Sequence, residues 1–268
     1  MTSAVRGSVR SMGVLAEEAE RPLEHRALGT RSYLEVLDLQ RNSRSAVMTG
    51  DAGDVLFTVE HDPGVLTAGR RARAEHILAA PRELADYGVE MHAVERGGGW
   101  TWHGPGQLVA YPIVDLRARR LRVPDFVAGL EEAMVVLARS ILSSASVPLG
   151  DGGLVVGRRC GFPGAWVREP GGELVKIGAV GVHVRRFVSM HGLALNLAPE
   201  PFGFDWIVAC GLESERTTSL ARLCARWGKD SPVLPSIHDL GGHLASLLPG
   251  CWASPGPVPS LVDCDAAT

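Results

Sequence analysis

The sequence predicts an α+β domain, and three observations carry that prediction. Short runs rich in β-branched and aromatic residues fall in groups, amphipathic stretches of helical period lie between and after the groups, and neither an internal repeat nor a long linker divides the chain. A single folded unit is expected over residues 28–248, between a poorly ordered extension (1–27) that is small, charged and aperiodic and a flexible tail (249–268) rich in Pro, Ser and Gly.

SYLEVLDL (32–39) and DVLFTVEH (54–61) read as strands, and QLVAYPIVDL (107–116) is the near-continuous apolar run of a buried strand. PRELADYG predicts a short helix opened by Pro81 and closed by Gly88. In VPDFVAGLEEAMVVLARSIL, Phe126, Leu130, Met134, Leu137 and Ile141 recur every three or four residues, with Pro124 and Asp125 at the start, which predicts an amphipathic helix. The chain then returns to strands. Val180, Val182 and Val184 alternate with Gly181 and His183, and Leu193, Leu195 and Leu197 alternate with Ala194 and Asn196. A last helix is expected from Ser236, where S-I-H-D has capping-box spacing and Ile237, Leu240, Leu244, Leu247 and Leu248 form the apolar stripe.

At 268 residues the chain is long enough to bury a real core, and a net charge of -3 gives no reason to expect nucleic acid or an anionic membrane as the main partner. No apolar run approaches the ~18 residues that span a bilayer, and the first residues lack the apolar stretch of a secretory signal, so a cytoplasmic protein is expected. The five cysteines, Cys160, Cys210, Cys224, Cys251 and Cys264, have no CxxC spacing and read as free thiols. No HxxxH or HxH spacing supports a metal site.

Five glycines fall within the ten positions 97–106 of ERGGGWTWHGPGQLVAYPI (95–113), more than one turn requires, so the stretch reads either as a tight loop packing two tryptophans or as a loop against which a ligand lies. It fits no phosphate-loop pattern. Only Lys176 and Lys229 are lysines among the 27 basic residues, and Lys176 stands in the apolar run LVKIGAV. Either its stem packs and its amine reaches solvent, or the amine is desolvated and serves as a general base or acid. Cys224 lies at helical spacing with Leu220 and Leu223 and reads as core, whereas Cys251 and Cys264 fall in the tail. Cys210 ends the apolar run FDWIVAC just before Gly211; a thiol beside a lysine that accepts its proton becomes a nucleophile, which makes Cys210 with Lys176 a candidate dyad. Cys160, next to Arg158 and Arg159, is the second candidate, and His61, His103, His183 and His191 leave a Cys-His pairing open. Arg117, Arg119, Arg120 and Arg122 form a basic cluster that reads as a solvated face or a docking site for an acidic partner.

Taken together, RGGGWTWHGPGQLVAYPI (96–113), KIGAVGVHVRRFVSMHGLALNLAP (176–199) and IVACGLESERTTSL (207–220) resemble the lipoyl(octanoyl) transferase family, also called lipoate-protein ligase B, and HDPGVLTAGRRARAEHIL (61–78) is similar to its entry motif. The resemblance covers roughly residues 30–225 in the same order. It implies a mixed β-sheet with packed helices, similar to the catalytic domain of biotin and lipoate protein ligases, with no cofactor and no use of ATP. It implies transfer of an octanoyl group from octanoyl-acyl carrier protein to a lysine of lipoyl domains, in 2-oxoacid dehydrogenase E2 subunits and glycine cleavage H protein, by a monomer. Cys210 matches the family nucleophile, with backbone N–H groups near Gly211 as oxyanion donors, and Lys176 matches its neighbouring base.

The resemblance assigns the acyl pocket to Arg96, Gly97, Gly98, Gly99, Trp100, Thr101, Trp102 and His103, with the tryptophans as walls, and to Ala179, Val180, Gly181, Gly192, Leu193 and Ala194. Ala209, Trp100 and Pro63-Gly64 depart from the usual family choices. Alternatives are an ATP-dependent lipoate or biotin ligase of the same fold, a non-catalytic module that binds carrier or lipoyl domains, and a thiol hydrolase that releases free octanoate.

Overall fold

The structure is a computed structural model that describes residues 21–200, 203–208, 216–228, 233–254 and 256–262. In chain order its elements are β1 (Leu23–Arg31), α1 (Tyr33–Thr49), β2 (Asp54–His61), β3 (Val65–Ala68), α2 (Pro81–Asp86), β4 (Glu90–Ala93), β5 (Trp100–His103), β6 (Gln107–Ile113), α3 (Val123–Ser144), β7 (Val155–Gly157), β8 (Gly164–Arg168), β9 (Leu174–Arg185), β10 (Val188–Asn196), β11 (Arg216–Thr217), α4 (Leu220–Trp227) and α5 (Ile237–Ala253).

An eight-stranded sheet runs β1-β2-β6-β10-β9-β8-β7, with β11 paired to β9 off that path. The β1–β2 and β11–β9 pairs are parallel and the others antiparallel, so the sheet is mixed as expected. A second, three-stranded sheet runs β4-β3-β5.

The large sheet is covered on both faces, and its central strands β6 and β10 are buried at every position. Leu56, Leu108 and Ala110 pack toward Phe126, Leu130 and Met134 of α3 and Leu240, Leu244 and Leu248 of α5. The alternate residues Val55, Phe57, Val109 and Tyr111 pack toward Tyr33, Val36 and Leu37 of α1. This is the period-two alternation of a strand read from both sides, and each fully buried Val, Leu, Ile or Phe contributes about 1.5–3 kcal/mol. A third cluster holds the small sheet to the rest through Leu66, Leu84, Trp102, Trp206 and Ile207.

One expected strand is a helix. SYLEVLDL opens α1, because Ser32 and Glu35 form a capping box and the buried residues Tyr33, Val36, Leu37, Gln40, Arg44 and Val47 recur at helical spacing. The eight-residue run was too short for its aromatic and β-branched content to be outweighed by that period.

The ordered elements also pass the expected bounds at both ends. Leu23–Ala27 pair in parallel with β2, and the helix expected to stop near Leu248 continues as α5 to Ala253. Residues 256–262 return to β7's end, where Arg158 N donates to Pro259 O (2.9 Å) and Leu261 N donates to Arg158 O (2.8 Å). Cys251 is accordingly a buried helical residue and not part of a tail. Burial pushes its thiol up to about 11.

Candidate active site

Two adjoining spaces form where the small sheet leans over β9 and β10. The first is a narrow slot of about 40 Å³, lined by the glycine loop (Arg96, Gly97, Gly98), by Trp100, Thr101 and His103 of β5, and by Ala179–Gly181 and His191–Ala194. Its floor is low because small residues stand opposite one another, Gly181 against Gly192 and Ala179 against Ala194, with Val180 against Leu193 between them. A Cβ on Gly181 would lie 3.1 Å from Arg96 Cδ and 3.3 Å from Gly97 O, so a side chain there would press on the loop that roofs the slot.

The roof is fixed by Arg96, which is only 7% exposed. Its Nη2 donates to Thr67 O (2.6 Å) and Oγ1 (2.9 Å), and its Nη1 donates to Gly97 O (2.9 Å). Gly69 N donates to Gly99 O, Arg70 N to Arg96 O and Arg71 N to Gly98 O, which stitches the loop after β3 to the glycine loop.

The inner end of the slot is built from Tyr33, His103, Tyr111 and His191. Burial holds His103 and His191 each down at about 3 and His61, behind Tyr111, at about 4, so all three imidazoles are neutral. Burial also pushes the Tyr33 hydroxyl up to about 12. Hydrogen bonds select the tautomers. Gln107 Nε2 donates to Trp102 O and Asn196 Oδ1, so its oxygen accepts from His103 Nδ1 (2.7 Å) and leaves His103 Nε2 an acceptor. His61 Nδ1 donates to Arg31 O (3.1 Å), so its Nε2 accepts from Tyr111 Oη (2.9 Å).

His191 reaches the slot through an irregular backbone. The β6–β10 register on either side places it opposite Pro112, which has no N–H for the ladder. The strand adopts φ +61° there, and His191 N donates instead to Gln40 Oε1 on α1 (2.9 Å). Its Nε2 is buried without a hydrogen-bond partner.

The second space is a cavity of about 400 Å³ lined by Arg71, His76, Gly97–Gly99, Val127, Gly161–Pro163, Lys176 and Val180–Val182. It shares Gly97, Gly98, Val180 and Gly181 with the slot. Lys176 is 6% exposed, with Nζ 5.1 Å from the centroid of the buried Trp166 ring. Trp166 is fixed in turn by its Nε1, which donates to Phe162 O (3.0 Å).

Strand pairing explains why a buried lysine borders the wide cavity. β9 pairs with β10 as far as Gly178, and at Lys176 that side of β9 is taken over by β11 through Thr217. Thr218 N then donates to Lys176 O (2.8 Å), and Asn196 Nδ2 donates to Thr218 O (3.0 Å). Across the strand, Gly164 leaves room: a Cβ there would lie 2.9 Å from Lys176 Cε. Glu131 of α3 accepts from Gly164 N (2.8 Å), and burial raises its carboxyl above the usual range.

The structure thus brings Lys176 and most of the residues singled out in the sequence around one pair of spaces. Gly99 lines the wide cavity alone, and Trp102 lines neither. Trp102 is fully buried in the third core cluster, where a Cβ on Gly104 or Gly203 would meet its ring at 2.1 Å. Gly104 is therefore glycine for packing against an indole, while Gly97 and Gly98 border the empty spaces.

Cys210 lies outside the described residues. The described chain on either side of it borders Lys176's surroundings: Val208 N donates to His76 O (2.8 Å), and Thr217 pairs with Lys176. Cys160 is disulfide-bonded and has no thiol to activate, which corrects the expectation of five free cysteines. Sequence spacing was silent there because a disulfide is set by approach in space. Cys224 and Cys251 are free and buried. In the basic cluster, Arg119 Nε lies 2.6 Å from Asp54 Oδ2, Arg122 Nε lies 2.7 Å from Asp125 Oδ2, and Arg117 stacks on Phe187 at 3.9 Å. Tyr33, Tyr111 and His191 were missed as lining residues, and His191 was singled out in the sequence only as a possible partner for a cysteine.

Among the described residues, no group of three or more His, Cys, Asp or Glu could hold a metal ion, and no helix is long and apolar enough to cross a membrane.

A mixed sheet covered on both faces, with a slot roofed by a glycine loop and a buried lysine in the adjoining cavity, defines an α+β catalytic domain of the ligase type. The chain belongs to the lipoyl protein ligase A/B catalytic domain family, which it matches over residues 32–232. It is 41% identical over 202 residues to a protein of Acidobacterium capsulatum named octanoyltransferase, covering 72% of this chain and 77% of that one. An octanoyltransferase of Chloroflexus aurantiacus is 42% identical over 195 residues, covering 72% and 81%. In fold the chain is similar to the crystal structure of P. falciparum LipL1 in complex with lipoate, with a TM-score of 0.57, 9% identity and coverage of 86% and 62%.

Proposed function

We propose that this protein moves an octanoyl group from the thioester of octanoyl-acyl carrier protein to a lysine of a lipoyl domain, through a thioester on Cys210. The observation that carries the reading is the placement of Lys176, buried against Trp166 on the lining of the wide cavity that adjoins the slot. The relatives named octanoyltransferase, 41% and 42% identical, support the same acyl group.

The steps follow from the groups present. The acyl chain of the donor enters the slot between the glycine loop and the small residues of β9 and β10. Lys176 takes the proton of the Cys210 thiol, and the thiolate attacks the acyl carbonyl. The carbon–sulfur bond to the carrier breaks, and the leaving thiolate takes the proton back from Lys176. One thioester replaces another, so this half is nearly balanced. In the second half the acceptor amine attacks the Cys210 thioester, loses its proton to Lys176, and expels the Cys210 thiolate, which is then reprotonated. Formation of the amide drives the sequence forward without ATP. The acceptors are lipoyl domains of 2-oxoacid dehydrogenase E2 subunits and of glycine cleavage H protein.

Peptide mass spectrometry after brief incubation with octanoyl-acyl carrier protein tests the reading. The expected result is an octanoyl adduct on the Cys210 peptide that passes to an added lipoyl domain and is missing in Cys210→Ser. Lys176→Ala should slow adduct formation by roughly 10²–10⁴. Octanoylation of the domain by an enzyme that never carries the adduct would remove the covalent step, and a strict requirement for ATP would replace the transferase by a ligase.

A further inference from the structure

The wide cavity holds two polar groups that acyl transfer leaves unused. Arg71 is exposed at its rim, and among the described residues its guanidinium has no hydrogen-bond or ion-pair partner. His76 is half-buried beside the same space, and its Nδ1 is buried without a hydrogen-bond partner among the described residues. Both main chains are nevertheless pinned: Arg71 N donates to Gly98 O (2.9 Å), and His76 O accepts from Val208 N (2.8 Å). The unsatisfied imidazole nitrogen is the observation that points to a ligand, because a buried polar atom in a native structure otherwise finds a partner, and Arg71 supplies a cation, unpaired among the described residues, on the lining of the same cavity.

The chemistry of the pair selects the ligand. A guanidinium offers a planar fork that fits phosphate oxygens, and an imidazole N–H beside it donates to the same kind of oxygen. The cavity adjoins the slot along Gly97, Gly98, Val180 and Gly181 and carries Lys176 and Arg71 on its lining, so the polar arm of a donor whose acyl end enters the slot would lie on the cavity side, toward Arg71. We infer that Arg71 and His76 bind the phosphodiester at the far end of the flexible arm that carries the donor thioester. The inference rests on the acyl-transfer reading, since it needs a donor that arrives on such an arm. The phosphate of a nucleotide has the same chemistry and is the second source that a test must separate.

Equilibrium binding to the full chain, by titration calorimetry, provides that test with 4′-phosphopantetheine, pantetheine and AMP as probes. The expected result is that 4′-phosphopantetheine binds at least tenfold more tightly than pantetheine, that Arg71→Gln removes this preference, that His76→Ala reduces it, and that Arg71→Lys retains part of it. An equal affinity for the two arms, or a preference that survives Arg71→Gln, overturns the site. Binding of AMP as tight as that of 4′-phosphopantetheine, and lost with Arg71, overturns the assignment to the donor arm in favour of a nucleotide. The mass-spectrometric assay is independent of these titrations. A phosphate preference without any octanoyl adduct would remove the transferase reading and leave the site, whereas adduct formation without a preference would remove the site alone.

Discussion

The slot and the wide cavity share four residues yet are built on opposite physical terms. The slot is narrow, roofed by a buried arginine clamp and ended by neutral imidazoles, of which His103 is fixed by its hydrogen bond with Gln107. The cavity is ten times larger, about 400 Å³ against about 40 Å³, and presents charged side chains. The contrast teaches where selectivity and where traffic reside. A narrow groove discriminates by shape, whereas a wider space bordered by Arg71 and Lys176 has room for larger and more polar groups.

The sharpest way to break the comparison is Lys176→Ala, which acts on the lining of the wide cavity and should abolish transfer to the extent given above while leaving both spaces in place. Narrowing the slot alone comes next. Ala179 borders the slot and not the wide cavity, so Ala179→Leu should lower kcat/KM for an octanoyl donor by about tenfold or more, and for a butanoyl donor by much less. An equal loss with both donors would mean that the chain does not lie there.

A smaller effect concerns stability. His61, His103 and His191 are held at about 4, 3 and 3 by burial, below the ordinary imidazole value of about 6.5. The unfolded chain therefore binds more protons than the folded one, and stability falls as pH is lowered. The loss begins near pH 6.5 and continues toward the folded values, at up to about 1.4 kcal/mol per pH unit for each histidine. Urea midpoints between pH 7.5 and 5 should show it, and His103→Gln should flatten the slope; a midpoint independent of pH would contradict the burial of these rings. The smallest effect is expected from Trp166→Phe, which keeps an aromatic face for Lys176 but loses the bond from Nε1 to Phe162 O. A loss of about 0.5–1.5 kcal/mol with transfer changed only a few-fold would mean that the ring face, and not its N–H, positions the amine.

Much of the fold was legible because its signals are local. The period of α3, the Ser236 cap of α5 and the apolar run of β6 each lie within one short window. The failures are equally physical. α1 was mistaken for a strand because its period emerges only beyond the window that looked β-rich, and β1 is an edge strand whose polar sequence takes its order from β2. At the site, Lys176 stood out because arginine replaces lysine almost everywhere else, and the glycine loop stood out by composition. The division of labour among its residues did not, since Trp102 faces the protein interior while Trp100 and Thr101 face the slot.

The sequence by itself determined which segments are apolar enough to be strands and helices, that one lysine lies in an apolar strand, and that the chain carries the motifs of its family. Only the tertiary structure decided that β11 replaces β10 beside Lys176, that Pro112 turns His191 into the slot, and that Cys160 is not a thiol. Those facts depend on which strand edge, ring or sulfur arrives from a distant part of the chain. Local periodicity encodes burial, whereas a site is made by the register between elements far apart in sequence.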